Sequence, residues 1–135
     1  HEQANGALYL FIQDSIEWLD HAKGAIANFH IVFMIQLSFH LGFMPNIESG
    51  MSGDYFDLVD GCFAAHVPSH VHYLNKEDSM RLVSLFRLDY KTMHLYTMSR
   101  IERNRCVEVI LEYYKLHLPD FPEMKSFSVL QELFA

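Results

Sequence analysis

Three histidines, His66, His70 and His72, share one short stretch that follows Asp57, Asp60 and Cys62 in the chain. Imidazoles at such spacing can bind zinc when a loop gathers them, because neutral ring nitrogens are good ligands for that ion. The stretch has no paired-cysteine knuckle, no HExxH helix and no obvious fourth ligand. The plainer reading is a loop whose histidines hydrogen-bond locally or cap a hairpin. Asp57 and Asp60 sit at turn spacing, where a carboxylate commonly accepts backbone N–H groups. His30 and His40 fall on an apolar run and read as core histidines with local partners. There is no Gly-rich phosphate loop, no nucleophile elbow and no cysteine beside a base. The expectation is a chain without catalytic residues. A small metal-dependent enzyme built on His66, His70, His72 and Asp57 is kept as an alternative.

A second set of side chains is suited to binding. Arg100, Arg103 and Arg105 crowd the start of a predicted helix, where the helix dipole disfavours cations. A partner surface or a carboxylate network would explain that local cost. With Lys91 and Lys125 they form the candidate set for contact with a partner or with DNA. The competing reading pairs them with Glu102 and Glu108 as a solvated charged face.

These residues depend on a small number of elements. Leu8, Phe11, Ile12, Ser15, Ile16 and Leu19 follow three- and four-residue spacing, predicting an amphipathic helix over 7–22. Gly24 breaks it. A central helix is predicted over 25–41, stopped by Gly42, with Pro45 beyond. From 46 to 75 the helical pattern disappears. Ser49-Gly50, Ser52-Gly53 and Asp60-Gly61 are turn signals, and residues 55–58 and 62–64 read as two strands of a hairpin. Pro68 and the histidine loop follow. Helical pattern returns over 77–88, with a shorter turn over 90–96. Ser99 and Glu102 have capping-box spacing at the head of a long helix. Cys106, Val109, Ile110, Tyr113 and Leu116 form its predicted inner stripe. Arg105/Glu108 and Glu112/Lys115 stand at pairing distance on its outer side. Pro119 and Pro122 close it, and a last helix is predicted over 126–134. The fold class is therefore mainly α, a helical bundle with a small β-hairpin insertion over about 46–75.

The chain has 135 residues, half of them hydrophobic, which suits one domain with a substantial core. Residues 24–47 contain no Asp, Glu, Lys or Arg. The polar Asn28, His30, Gln36, Ser38 and His40 recur through that stretch and favour a buried bundle helix over a membrane span. Cys62 and Cys106 lie far apart, which argues against a disulfide framework and for a reducing, cytoplasmic setting. The net charge of -7 disfavours a phosphate backbone overall. Nearly all Lys and Arg follow Asn75, so nucleic-acid contact would fall to the second half. The first residue, His1, is not a natural start, and the expectation is a piece of a longer chain.

Three stretches, read in order, resemble the C-terminal helical domain of the bacterial RecO family of DNA repair and recombination mediators. Residues 33–45, FMIQLSFHLGFMP, resemble the family helix that ends in leucine, glycine, an aromatic and proline. Residues 55–63, YFDLVDGCF, sit where the family has a short hairpin. Residues 113–134, YYKLHLPDFPEMKSFSVLQELF, resemble its closing helix and tail, here Met124-Lys125-Ser126 and Leu130. The resemblance implies an oligonucleotide-binding barrel upstream and no chemistry of its own. It implies binding of single- and double-stranded DNA, partnership with RecR, and recognition of the tail of single-stranded-DNA-binding protein. RecA loading, strand annealing and association with the bacterial nucleoid follow from the same resemblance. Many relatives hold a structural zinc on two CxxC pairs around the hairpin. Here those stretches read Asn46-Ile47-Glu48-Ser49-Gly50 and Ala64-Ala65-His66-Val67, so no cofactor is expected, and Tyr55, Phe56 and Phe63 would hold the hairpin by packing. Basic residues that many relatives carry near the start of the central helix are replaced by Ile31 and Val32. An interaction module unrelated to DNA is the further alternative.

Overall fold

A computed structural model describes residues 2–24, 26–48 and 53–118. Helix α1 spans Glu2–His21 and α2 spans Phe29–Leu41. A three-stranded antiparallel sheet follows, with β1 Tyr55–Asp57, β2 Cys62–Ala64 and β3 Tyr73–Leu74 in the order β2-β1-β3. Helix α3 covers Lys76–Phe86, a 3-10 turn covers Met93–Leu95, and α4 covers Arg100–His117. The mainly helical class with a small β insertion is what the sequence predicts. The predicted helix over 126–134, the turns at Ser49-Gly50 and Ser52, and Lys125 lie outside the described residues.

Two helix ends are set by local chemistry. Gly42 closes α2 at φ 90°, a left-handed conformation that costs glycine little. Its N–H reaches the Phe39 carbonyl at 3.1 Å, and the Phe43 N–H reaches the Ser38 carbonyl at 3.0 Å, a Schellman pair. At the head of α4, the Ser99 hydroxyl accepts from the Glu102 amide at 3.1 Å, and the Glu102 carboxylate accepts from the Ser99 amide at 2.9 Å. The start of α2 is later than the predicted residue 25. Asn28 sits just before it, and its side chain is spent on distant carbonyls instead of on capping.

The core gathers around α2 and α4. On one side of α4, Cys106, Ile110 and Tyr114 pack with Ile31 and Ile35 of α2. On another, Val109 and Tyr113 pack with Phe56, Leu58 and Leu82. One helix thus braces both the bundle and the sheet. Leu116, predicted to face inward, is 38% exposed instead; the inner stripe ends at Tyr113 and Tyr114. The charge-free α2 buries Ile31, Val32, Ile35 and Ser38, which explains its lack of polar faces. Among the described residues, no helix is long and apolar enough to cross a membrane.

The predicted hairpin forms, and its register sets Phe56 opposite Phe63 and Asp57 opposite Cys62. β3 escapes the sequence reading, because two residues are too few to show alternation. Ser79 of α3 plugs into this sheet: its hydroxyl accepts from the Phe56 amide at 3.0 Å and donates to the Leu74 carbonyl at 3.2 Å.

Candidate functional site

The three candidate arginines go to three different environments. Arg103 turns inward. Its Nε donates to Asn28 Oδ1 at 3.2 Å and a terminal nitrogen donates to the Met98 carbonyl at 3.2 Å. Asn28 Nδ2 donates in turn to the Met93 and Tyr96 carbonyls at 2.9 and 2.8 Å. These bonds staple the 93–98 segment to the starts of α2 and α4. Arg105 pairs with Asp78 at 3.2 Å and with Glu108 at 3.8 Å. Arg81, which the sequence reading leaves outside the candidate set, joins Glu102 at 3.1 Å, with Glu77 and Asp78 slightly farther. The result is a carboxylate network linking α3 to α4. The Glu102 carboxyl sits below its ordinary pKa, chiefly through the Ser99 hydrogen bonds and then the Arg81 charge.

Arg100 and Lys91 are exposed. Lys91 rides on a turn that Asp89 organises by accepting the Lys91 and Thr92 amides at 2.9 and 2.8 Å. Between these two cations lies Leu95, 72% exposed, and Ile101 beside Arg100 is 82% exposed. Segment 91–101 therefore offers solvent two positive charges and two apolar side chains.

Hydrogen bonds organise the histidine loop. Asp57 Oδ1 accepts from the Val59 and Asp60 amides at 2.9 and 3.0 Å, which is turn chemistry. His70 Nε2 lies 3.0 and 3.1 Å from the two Asp57 oxygens. His72 lies 3.8 Å from Glu112, and His66 is exposed. Among the described residues, no three His, Cys, Asp or Glu side chains gather as ligands. Burial is the largest influence on the Asp57 carboxyl and raises its pKa. Hydrogen bonds from the Asp60 amide, His70 and the Val59 amide outweigh burial and hold it below the ordinary value.

Other titratable groups are sequestered. Burial, assisted by the Arg103 charge, pushes His30 down to about 4, so its ring is neutral at pH 7. Burial pushes the Cys106 thiol up to about 11, which removes its nucleophilic form. A cavity of about 20 Å³ between α2, the sheet and α4 is walled by Ile35, Phe56, Val109 and Tyr113. It has room for a single water and for no larger ligand.

Comparison with known proteins supplies the deciding observation. The family described as "Recombination protein O C terminal" matches residues 1–126. The chain belongs to the RecO C-terminal family. A protein named DNA repair protein RecO from Phocaeicola vulgatus is 46% identical over 99% of this chain and 56% of its own length. Its namesake from Bacteroides fragilis (strain YCH46) is 48% identical over 98% of this chain and 55% of its own length. That from Porphyromonas gingivalis (strain W83) is 34% identical over 98% and 55%. The chain thus spans little more than half the length of these RecO relatives. No solved structure gives a significant match.

Packing, a backbone bond and a side-chain bond from α4 hold the hairpin. Phe56 is fully buried and meets Phe63 edge-on at 5.2 Å. The Asn46 amide donates to the Gly61 carbonyl at 2.8 Å, and His117 Nε2 donates to the Leu58 carbonyl at 2.6 Å.

Proposed function

We propose that this chain is the helical part of a non-enzymatic DNA repair and recombination mediator in the bacterial cytoplasm. The family match over residues 1–126 carries this reading. Its action is positional. An upstream oligonucleotide-binding barrel grips the strand by stacking and charge. The helical part docks RecR and the acidic tail of single-stranded-DNA-binding protein, and so assists RecA loading and annealing. No cofactor takes part; the hairpin stands on Phe56 and Phe63 where many relatives use zinc.

Segment 91–101 is the contact surface we favour, with Arg100 and Lys91 as its cations. Its exposed Leu95 and Ile101 add apolar contact area beside those cations. Arg103 and Arg105 are engaged within the molecule: Arg103 holds that segment through the Met98 carbonyl, and Arg105 ties α4 to α3. The net charge of -7 leaves most of the DNA grip to the upstream part.

Gel shifts and pull-downs with the chain and with the full-length protein test the reading. The full-length protein retains DNA, RecR and the single-strand binder, and the chain alone retains at least one protein partner. Failure of both proteins to bind any of the three overturns the proposal.

A further inference from the structure

The loop before β3 holds a protonation state dictated by geometry. The His72 backbone N–H, which can only donate, points at His70 Nδ1 at 3.0 Å. Nδ1 must therefore present a lone pair. The proton belongs on Nε2, which faces both Asp57 oxygens. The His72 carbonyl accepts the Leu58 amide at 2.9 Å, continuing the β1–β3 ladder past the Asp57–Tyr73 pair. One neutral imidazole thus ties β1 to the turn that feeds β3.

We propose that His70 is a proton-sensitive latch for the sheet insertion, whose second proton opens the 70–72 turn and loosens β3. A proton on Nδ1 converts an acceptor into a donor facing another donor, and that hydrogen bond is lost. The same charge strengthens the contact to Asp57, so the ring stays and the backbone of the turn moves away. β3 has only two residues with which to resist.

Other ionisable groups around the latch act differently. The elements packed against the latch carry Asp57 and Asp60 on β1 and its turn, Cys62 on β2, His66 and His72 on the loop, Tyr73 on β3, Lys76, Glu77, Asp78 and Arg81 on α3, and Glu112, Tyr113 and His117 on α4. Protonated His72 gains attraction to Glu112. His117 donates from Nε2 to the Leu58 carbonyl in either charge state. Asp57, held acidic by its amide donors, remains an anion across the histidine range. His70 is the group that loses a bond on protonation.

Amide hydrogen exchange, corrected for its intrinsic pH dependence, tests this between about pH 8 and about pH 5. In the wild-type protein, protection at Leu58 and His72 falls about tenfold or more relative to Ile110 in α4. In His70→Gln the side-chain amide supplies an acceptor to His72 and a donor to Asp57 without titrating, and the relative protection stays flat. Side-chain nitrogen spectra of the wild type show the Nε2–H tautomer at about pH 8. A proton on Nδ1 at that pH, flat relative protection in the wild type, or an equal loss in His70→Gln overturns the latch.

Discussion

At the scale of single residues, the most consequential side chain is Asn28. It uses both amide hydrogens and its oxygen on groups 65 to 75 residues away in the chain. Asn28→Ala leaves two carbonyls and a guanidinium short of partners and costs about 2–4 kcal/mol, read as a lower urea midpoint. Gly61 is the second position. Its φ is 70°, and an added Cβ would stand 3.1 Å from the Tyr113 hydroxyl. Gly61→Ala therefore loses about 1–2 kcal/mol in the same assay. His30 sets an acid limb. Its pKa falls from 6.5 unfolded to about 4 folded, so the unfolded chain takes up the proton first. Stability from this group is complete above about pH 6.5, drains as pH falls, and levels off below about pH 4, a loss of about 3 kcal/mol. A series of urea midpoints across that range in wild type and His30→Gln checks it, with the variant showing the flatter limb. The Asn28 bonds and the approach of Tyr113 to Gly61 are not visible in the sequence, since each depends on a neighbour distant in the chain; the Asp60-Gly61 turn itself is. His30 could be read as a core histidine, but its contact with the Arg103 charge could not.

At the scale of elements, legibility followed the range of the interaction. The Gly42 stop of α2 and the Ser99–Glu102 box of α4 are contacts within a few residues, and both stand where the spacing put them. The hairpin turn at Asp60-Gly61 was readable for the same reason. β3 and the Ser79 plug were not, because each is defined by partners across the fold. The crowded arginines at the head of α4 posed a choice between partner and internal network. The three side chains part ways, Arg103 turning inward, Arg105 reaching Asp78 and Arg100 lying exposed. Leu116 shows the limit of periodicity: α4 outlasts the surface it packs against. The cap makes a measurable contribution. Ser99→Ala lowers stability by about 1 kcal/mol and raises amide exchange in the first turn of α4 more than in its middle.

At the scale of the whole molecule, a charge-free α2 and a two-sided α4 pack, among the described residues, around a cavity of about 20 Å³. Within the proposed repair reading, segment 91–101 is the surface offered to a partner. The direct measurement is fluorescence anisotropy of a labelled tail peptide of single-stranded-DNA-binding protein, titrated with this chain and with its Lys91→Glu/Arg100→Glu variant. The account predicts saturable, salt-sensitive binding, weakened about tenfold or more in the variant, whose urea midpoint stays at the wild-type value. Equal binding by both proteins, or none by the unaltered chain, would contradict it.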